Sequence, residues 1–228
     1  MVRANHGAAV PLMSKAQGQD SKNDRAGGRA APPSRRGQRT RAALVVAARS
    51  IFERDGFLDA RITDITAGAS VAAGTFYTYF DDKEAIFAAV VESLEEDMLH
   101  MHIRQRIADA TPSALICAAN EEYLKAYQRN ARLMAALEQV AQIDENFRDL
   151  RVKRSEAFLK RNAKLIKELQ DRGEADPSLD PLVAAEALSW MVSRMAYSVF
   201  VQGRRVPMKL LVETLNRLWL NALRLGDT

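Results

Sequence analysis

From Thr40 onward, apolar and polar positions follow the period of a helix: Leu44, Ala47, Ala48, Ile51 and Phe52 recur at steps of three and four, with Arg49, Glu53 and Arg54 between them. This predicts a first helix that stops at Gly56. Two short segments follow, 63–67 and 72–79, with a break around Gly68 and Ser70. A longer helix followed by two short ones joined through a tight turn is the arrangement of a helix-turn-helix domain. Asp81 with Glu84 three residues later reads as a capping box opening a long helix, whose Ile86, Phe87, Val90, Val91, Leu94 and Met98 face a core.

Further on, Thr111-Pro112 reads as N-cap and first position of a helix reaching about residue 129, and Asn130 separates it from the segment 133–142. A charged helix from about residue 145 ends at Gly173 in the C′ position. After a loop at 174–180, Pro181 opens a strongly apolar helix to about residue 201, and residues 203–207 separate it from a last helix over 208–225. No segment reads as strand and no internal repeat is present. The expected fold class is all-α, with an N-terminal three-helix helix-turn-helix DNA-binding domain and a C-terminal helical domain. The expected divisions are a disordered basic tail at 1–36, the helix-turn-helix at 37–84 and the second domain at 85–228.

Composition narrows the classes without changing this picture. Hydrophobic residues make up 47% and charged ones 27%, as in globular chains. No apolar run approaches the roughly 18 residues that span a bilayer, and the N-terminus has no signal-type apolar stretch, so the expected address is the cytoplasm, with no membrane partner. One cysteine, Cys117, and three histidines, His6, His100 and His102, supply neither an internal disulfide nor a zinc framework, and no cofactor is expected.

Charge is more telling. The net +4 divides into +7 for residues 1–41, with nine Lys or Arg against Asp20 and Asp24, and −3 for the rest, where 24 basic residues face 27 acidic ones. A positive end on a slightly acidic protein suits a polyanion. Arg35, Arg36, Arg39 and Arg41 can follow a phosphate backbone or enter a minor groove, although a basic tail also serves as a solvated one.

The densest information lies between Gly56 and Phe87. Phe52, Gly56 and Phe57, then Ile65, Ala69 and Val71, then the run Gly74-Thr75-Phe76-Tyr77-Thr78-Tyr79-Phe80 with Lys83-Glu84, resemble the TetR family of bacterial transcriptional regulators, specifically over residues 38–90. The resemblance implies that Ala72, Ala73, Gly74, Thr75, Tyr77, Thr78, Tyr79 and Lys83 touch duplex DNA. Side-chain chemistry agrees: Ala and the Thr methyls suit a thymine methyl, Thr hydroxyls suit base edges or phosphate, and the two phenols suit phosphate oxygens. Lys83 falls in a first helical turn, where the macrodipole disfavours a cation, so a phosphate docking there would explain it. Ile65, Val71, Phe76 and Phe80 are expected in the core.

The chain departs from the family pattern twice. Arg61 stands where a capping Thr or Ser is usual; it can reach phosphate itself, but Thr63 must then cap, or the cap is lost. Ser70 stands where Gly is usual, in a turn that favours positive φ, at a cost of about 1 kcal/mol unless Gly68 shifts the bend.

The resemblance also implies a second domain that pairs two chains and binds a small effector. The apolar last two helices suit a four-helix homodimer interface, with Leu211, Val212, Leu215 and Trp219 as interface or core. Candidate pocket residues are Cys117, Tyr123, Tyr127, Met134, Phe158, Trp190, Met191 and Met195, for a hydrophobic effector such as a lipid-like acid or drug-like compound. No buried-looking pair of opposite charges and no arginine cluster in the sequence points to an anionic ligand. The expected function is repression of a palindromic operator relieved by that effector. A non-specific nucleic-acid binder is the alternative. An enzyme is disfavoured, because Cys117 has no nearby histidine motif and His100 and His102 fall on different helix faces.

Overall fold

The computed structural model describes residues 34–99 and 111–225. The basic residues expected in the tail from Arg3 to Arg29 lie outside the described residues, as do His6, His100 and His102. Among the described residues every regular element is a helix: α1 Arg35–Asp59, α2 Ile62–Gly68, α3 Ala73–Phe76, α4 Lys83–Leu99, α5 Pro112–Arg129, α6 Ala131–Ile143, α7 Glu145–Asp171, α8 Pro181–Phe200 and α9 Met208–Leu223. The proposed tail boundary at residue 36 is too late: the Ser34 hydroxyl accepts from the N–H of Gly37 at 3.2 Å, which caps α1 and places Arg35 and Arg36 in its first turn.

Leu44, Ala47, Ala48, Ile51 and Phe52 form the buried face of α1 as their spacing requires. Gly56, at φ +77°, kinks the helix so that Phe57 can turn inward. α2 lies close against α1, since a Cβ on Gly68 would stand 3.3 Å from that of Ala47. The turn after α2 returns two amides to it, Ser70 N to the Ala67 carbonyl and Val71 N to that of Thr66, both at 3.0 Å. Gly68 does not shift this bend: Ser70 itself takes φ +56° and carries the strain. α3 is shorter than the expected 72–79, with Phe76 and Phe80 buried on either side of the turn that follows it.

Asp82, not Asp81, caps α4, accepting from the N–H of Ala85 at 2.7 Å. Phe87 on α4 meets Phe52 edge-on at 4.8 Å and Phe57 at 4.9 Å. Phe147, from the first turn of α7, joins them 5.3 Å from Phe87, so the two halves share one apolar core. α6 packs on α1, α8 on α7, and α9 on α5. Pairing expectations for α9 are resolved by burial: Leu211, Leu215 and Trp219 are core, with Val212 half-buried beside them. No described helix is long and apolar enough to cross a membrane.

Candidate nucleic-acid interface and ligand cavity

Burying Phe76 and Phe80 turns the other side of α3 outward. Ala72, Ala73, Gly74 and Thr78 are exposed, Thr75 is half-buried, and Tyr77 is 61% exposed. The Tyr77 ring is braced edge-on against Phe76 at 5.3 Å, which holds the phenol outward without filling core. Tyr79 is half-buried against the core. A Cβ added at Gly74 would meet nothing within 4 Å, so only an approaching partner would restrict that position. The small residues at this edge let a backbone come close to whatever docks there.

The cations divide into two groups. Arg39 and Arg61 are exposed, and Arg41 is exposed with its guanidinium 5.1 Å above the Phe80 ring. Arg61 occupies the N-cap of α2 with no side-chain cap, and Thr63 is exposed and does not replace it, so the cap is lost. Lys83 differs. Its Nζ donates to the carbonyls of Leu58 at 3.0 Å and Ala60 at 3.2 Å and lies 4.6 Å above the Phe57 ring. The cation at the start of α4 is thus explained by the carbonyls ending α1, and its position needs no phosphate.

Between α5, α6, α7 and α8 lies a cavity of about 1090 Å³. Six of the proposed pocket residues line it: Tyr123, Tyr127, Met134, Phe158, Trp190 and Met191. Cys117 and Met195 do not; both are half-buried, Met195 within the core packing. Sequence reading missed Leu137, Val152, Leu159 and Tyr197, although Val152, Ser155 and Leu159 share one face of α7 at helical spacing. Arg151 and Glu138, which line the cavity with Arg194, Glu156 and Glu186, are 3.0 Å apart. The floor is buried and apolar at Tyr127, Met134 and Leu137, and the mouth is exposed at Trp190, Arg151 and Arg194. That gradient suits an amphiphile.

Residues 44–90 match the family model described as bacterial regulatory proteins, tetR family, and residues 116–224 match the C-terminal domain of the transcriptional regulator EthR. The chain is 28% identical over 204 residues to the HTH-type transcriptional regulator YdgC of Bacillus subtilis, covering 84% of this chain and 97% of that one. To the HTH-type transcriptional regulator EthR of Mycolicibacterium smegmatis it is 26% identical, covering 86% and 91%. Its fold is that of the fatty acid degradation regulator FadR from Bacillus halodurans, with a TM-score of 0.67, 20% identity and coverage of 82% and 97%. It is also that of a transcriptional regulator from Rhodococcus sp. Rha1, with a TM-score of 0.68, 19% identity and coverage of 82% and 99%. The chain belongs to the TetR family and is a DNA-binding transcriptional regulator of the helix-turn-helix type.

Proposed function

We propose that this regulator is a cytoplasmic repressor that holds a palindromic operator as a homodimer and releases it when a small hydrophobic effector enters the cavity. The observation that carries the reading is that one chain joins an outward edge of small and phenolic side chains on α3 to a cavity of about 1090 Å³ through a single core. The edge from Ala72 to Thr78 enters the major groove, with Tyr77 at a phosphate or groove wall and Thr75 and Thr78 at base edges or phosphate. Arg39, Arg41, Arg61 and Thr63 flank it toward the strands. Tyr79 and Lys83 contribute mainly by fixing that edge.

The effector has an apolar body and a polar or acidic head near Arg194, in keeping with the apolar floor and charged mouth. The structural neighbour from Bacillus halodurans is a regulator of fatty acid degradation, which supports an acyl chain as one candidate body. No catalytic step is assigned, and the relatives named above are regulators rather than enzymes.

The test is selection of bound duplexes from a random pool, followed by footprinting. A protected near-palindrome is expected, with affinity at least about a thousandfold above scrambled DNA. Tyr77→Ala should weaken binding to that duplex about tenfold while leaving thermal stability within about 0.5 kcal/mol, because the ring is mostly in solvent. A specificity ratio near one would instead favour a non-specific nucleic-acid binder.

A further inference from the structure

Arg49 stands on α1, in the half that reads DNA, and pairs with Glu53 one turn along at 3.0 Å. Its Nη2 also donates to Oδ1 of Asn130, which lies 81 residues away in the other half. Asn130 is 3% exposed and forms the joint between α5 and α6. Its Nδ2 donates to the Ala126 carbonyl at 2.8 Å. Its backbone N–H faces the carbonyls of Ala126 at 3.1 Å and Tyr127 at 3.2 Å, and its own carbonyl accepts from Met134 N at 2.9 Å.

Both oxygen and nitrogen of this buried amide are therefore engaged, and moving it leaves polar groups unsatisfied. Tyr127 and Met134, bonded to it through the backbone, are cavity walls. The route from guanidinium to cavity is contiguous: one side-chain hydrogen bond, one amide, and two helix ends that carry Tyr127 and Met134.

We infer that Arg49 and Asn130 are the joint through which occupancy of the cavity repositions the reading edge. A ligand that displaces Tyr127 or Met134 shifts the α5–α6 junction, and Asn130 then either drags Arg49 and α1 with it or loses the bond. Since α2 and α3 pack in sequence from α1, their pose follows. The inference rests on the effector reading of the cavity. By linkage, DNA must weaken ligand binding by the same factor as ligand weakens DNA binding.

The experiment uses the full chain, a selected duplex and the fluorescent amphiphile 1-anilinonaphthalene-8-sulfonate as probe. In the wild type, saturating duplex should weaken probe binding at least about fivefold. In Arg49→Gln that factor should fall to within about twofold of one, while the separate affinities for probe and duplex stay within about threefold of wild type. Arg49→Lys, which keeps a cationic donor of similar reach, should retain most of the coupling. A merely structural clasp would lower the melting temperature of Arg49→Gln and leave the factor intact; folded Arg49→Gln with wild-type coupling overturns the joint alone. A wild-type factor of one overturns the effector reading and the joint together.

Discussion

Lys83 shows how a single side chain can have its exposed position misread and still matter. Its ammonium satisfies two carbonyls at the end of α1 and covers the face of Phe57, which itself packs on Phe87. Lys83→Met keeps an apolar stem near that ring and removes both hydrogen bonds. Because the group is only half-buried, the loss should be about 1 kcal/mol, or a melting temperature lower by about 2–4 °C in a chain of this size. A lysine acting only on phosphate would behave oppositely, with an unchanged melting temperature and a salt slope of operator binding reduced by about one. Thermal denaturation alongside a salt titration separates the two. Ser70 is a second residue where local chemistry and fold disagree: its φ of +56° carries a strain that glycine would not. The two amides returned to α2 by that turn show why the bend survives it.

At the scale of elements, the loop after α7 is held by one carboxylate. Asp176 Oδ1 accepts from the Ser178 hydroxyl at 2.7 Å and its N–H at 2.9 Å, and Oδ2 pairs with Arg224 Nε at 3.0 Å. Its backbone N–H donates to the Leu223 carbonyl at 2.9 Å, so the loop clasps the end of α9. The Ser178 hydroxyl, then its amide, and the charge of Arg224 outweigh burial and hold the Asp176 carboxyl below its ordinary pKa. A carboxyl depressed in the folded state stabilises fully above its unfolded pKa of about 3.9, and that contribution is lost as pH falls through the lower folded value. Asp176→Asn should therefore melt below wild type at pH 7, with the gap closing as pH is taken below about 4 in a series of thermal scans.

Helix ends of this kind were largely legible beforehand. Thr111-Pro112 and Gly173 each sit where a cap requires them, because capping depends on residues within a few positions. Asp81 and Asp82 could not be told apart by type, since either can cap and only the backbone path decides. The cavity was half legible: aromatic and Met positions stand out on a sequence, whereas Arg151 with Glu138, or Arg49 with Asn130, meet only after helices distant along the chain have packed.

For the whole molecule, the question is what covers the outer faces of α8 and α9. With Leu211, Leu215 and Trp219 turned into the core, the same helices expose Leu182 at 52%, Val183 at 63%, Leu210 at 53% and Leu218 at 47%. Large apolar side chains gathered on two adjoining helices are the usual mark of an interface. A second copy placing its own α8 and α9 on these would form a four-helix contact about a two-fold axis. That symmetry is what a palindromic operator demands, since the two α3 edges must meet successive major grooves about 34 Å apart.

Val183→Glu combined with Leu218→Glu sets like charges into such a contact, but both side chains are exposed in the single chain, so the fold of each copy should persist. Sedimentation equilibrium should show a dimer for the wild type and a monomer for the double variant, with the helical circular dichroism spectrum unchanged. Binding to the full palindrome should fall at least about a hundredfold, because the second half-site no longer arrives at high effective concentration, while affinity for an isolated half-site stays near wild type. A double variant that remains dimeric would place the pairing surface elsewhere, and equal loss on half-site and palindrome would mean that the substitutions had disturbed α3 rather than separated the copies.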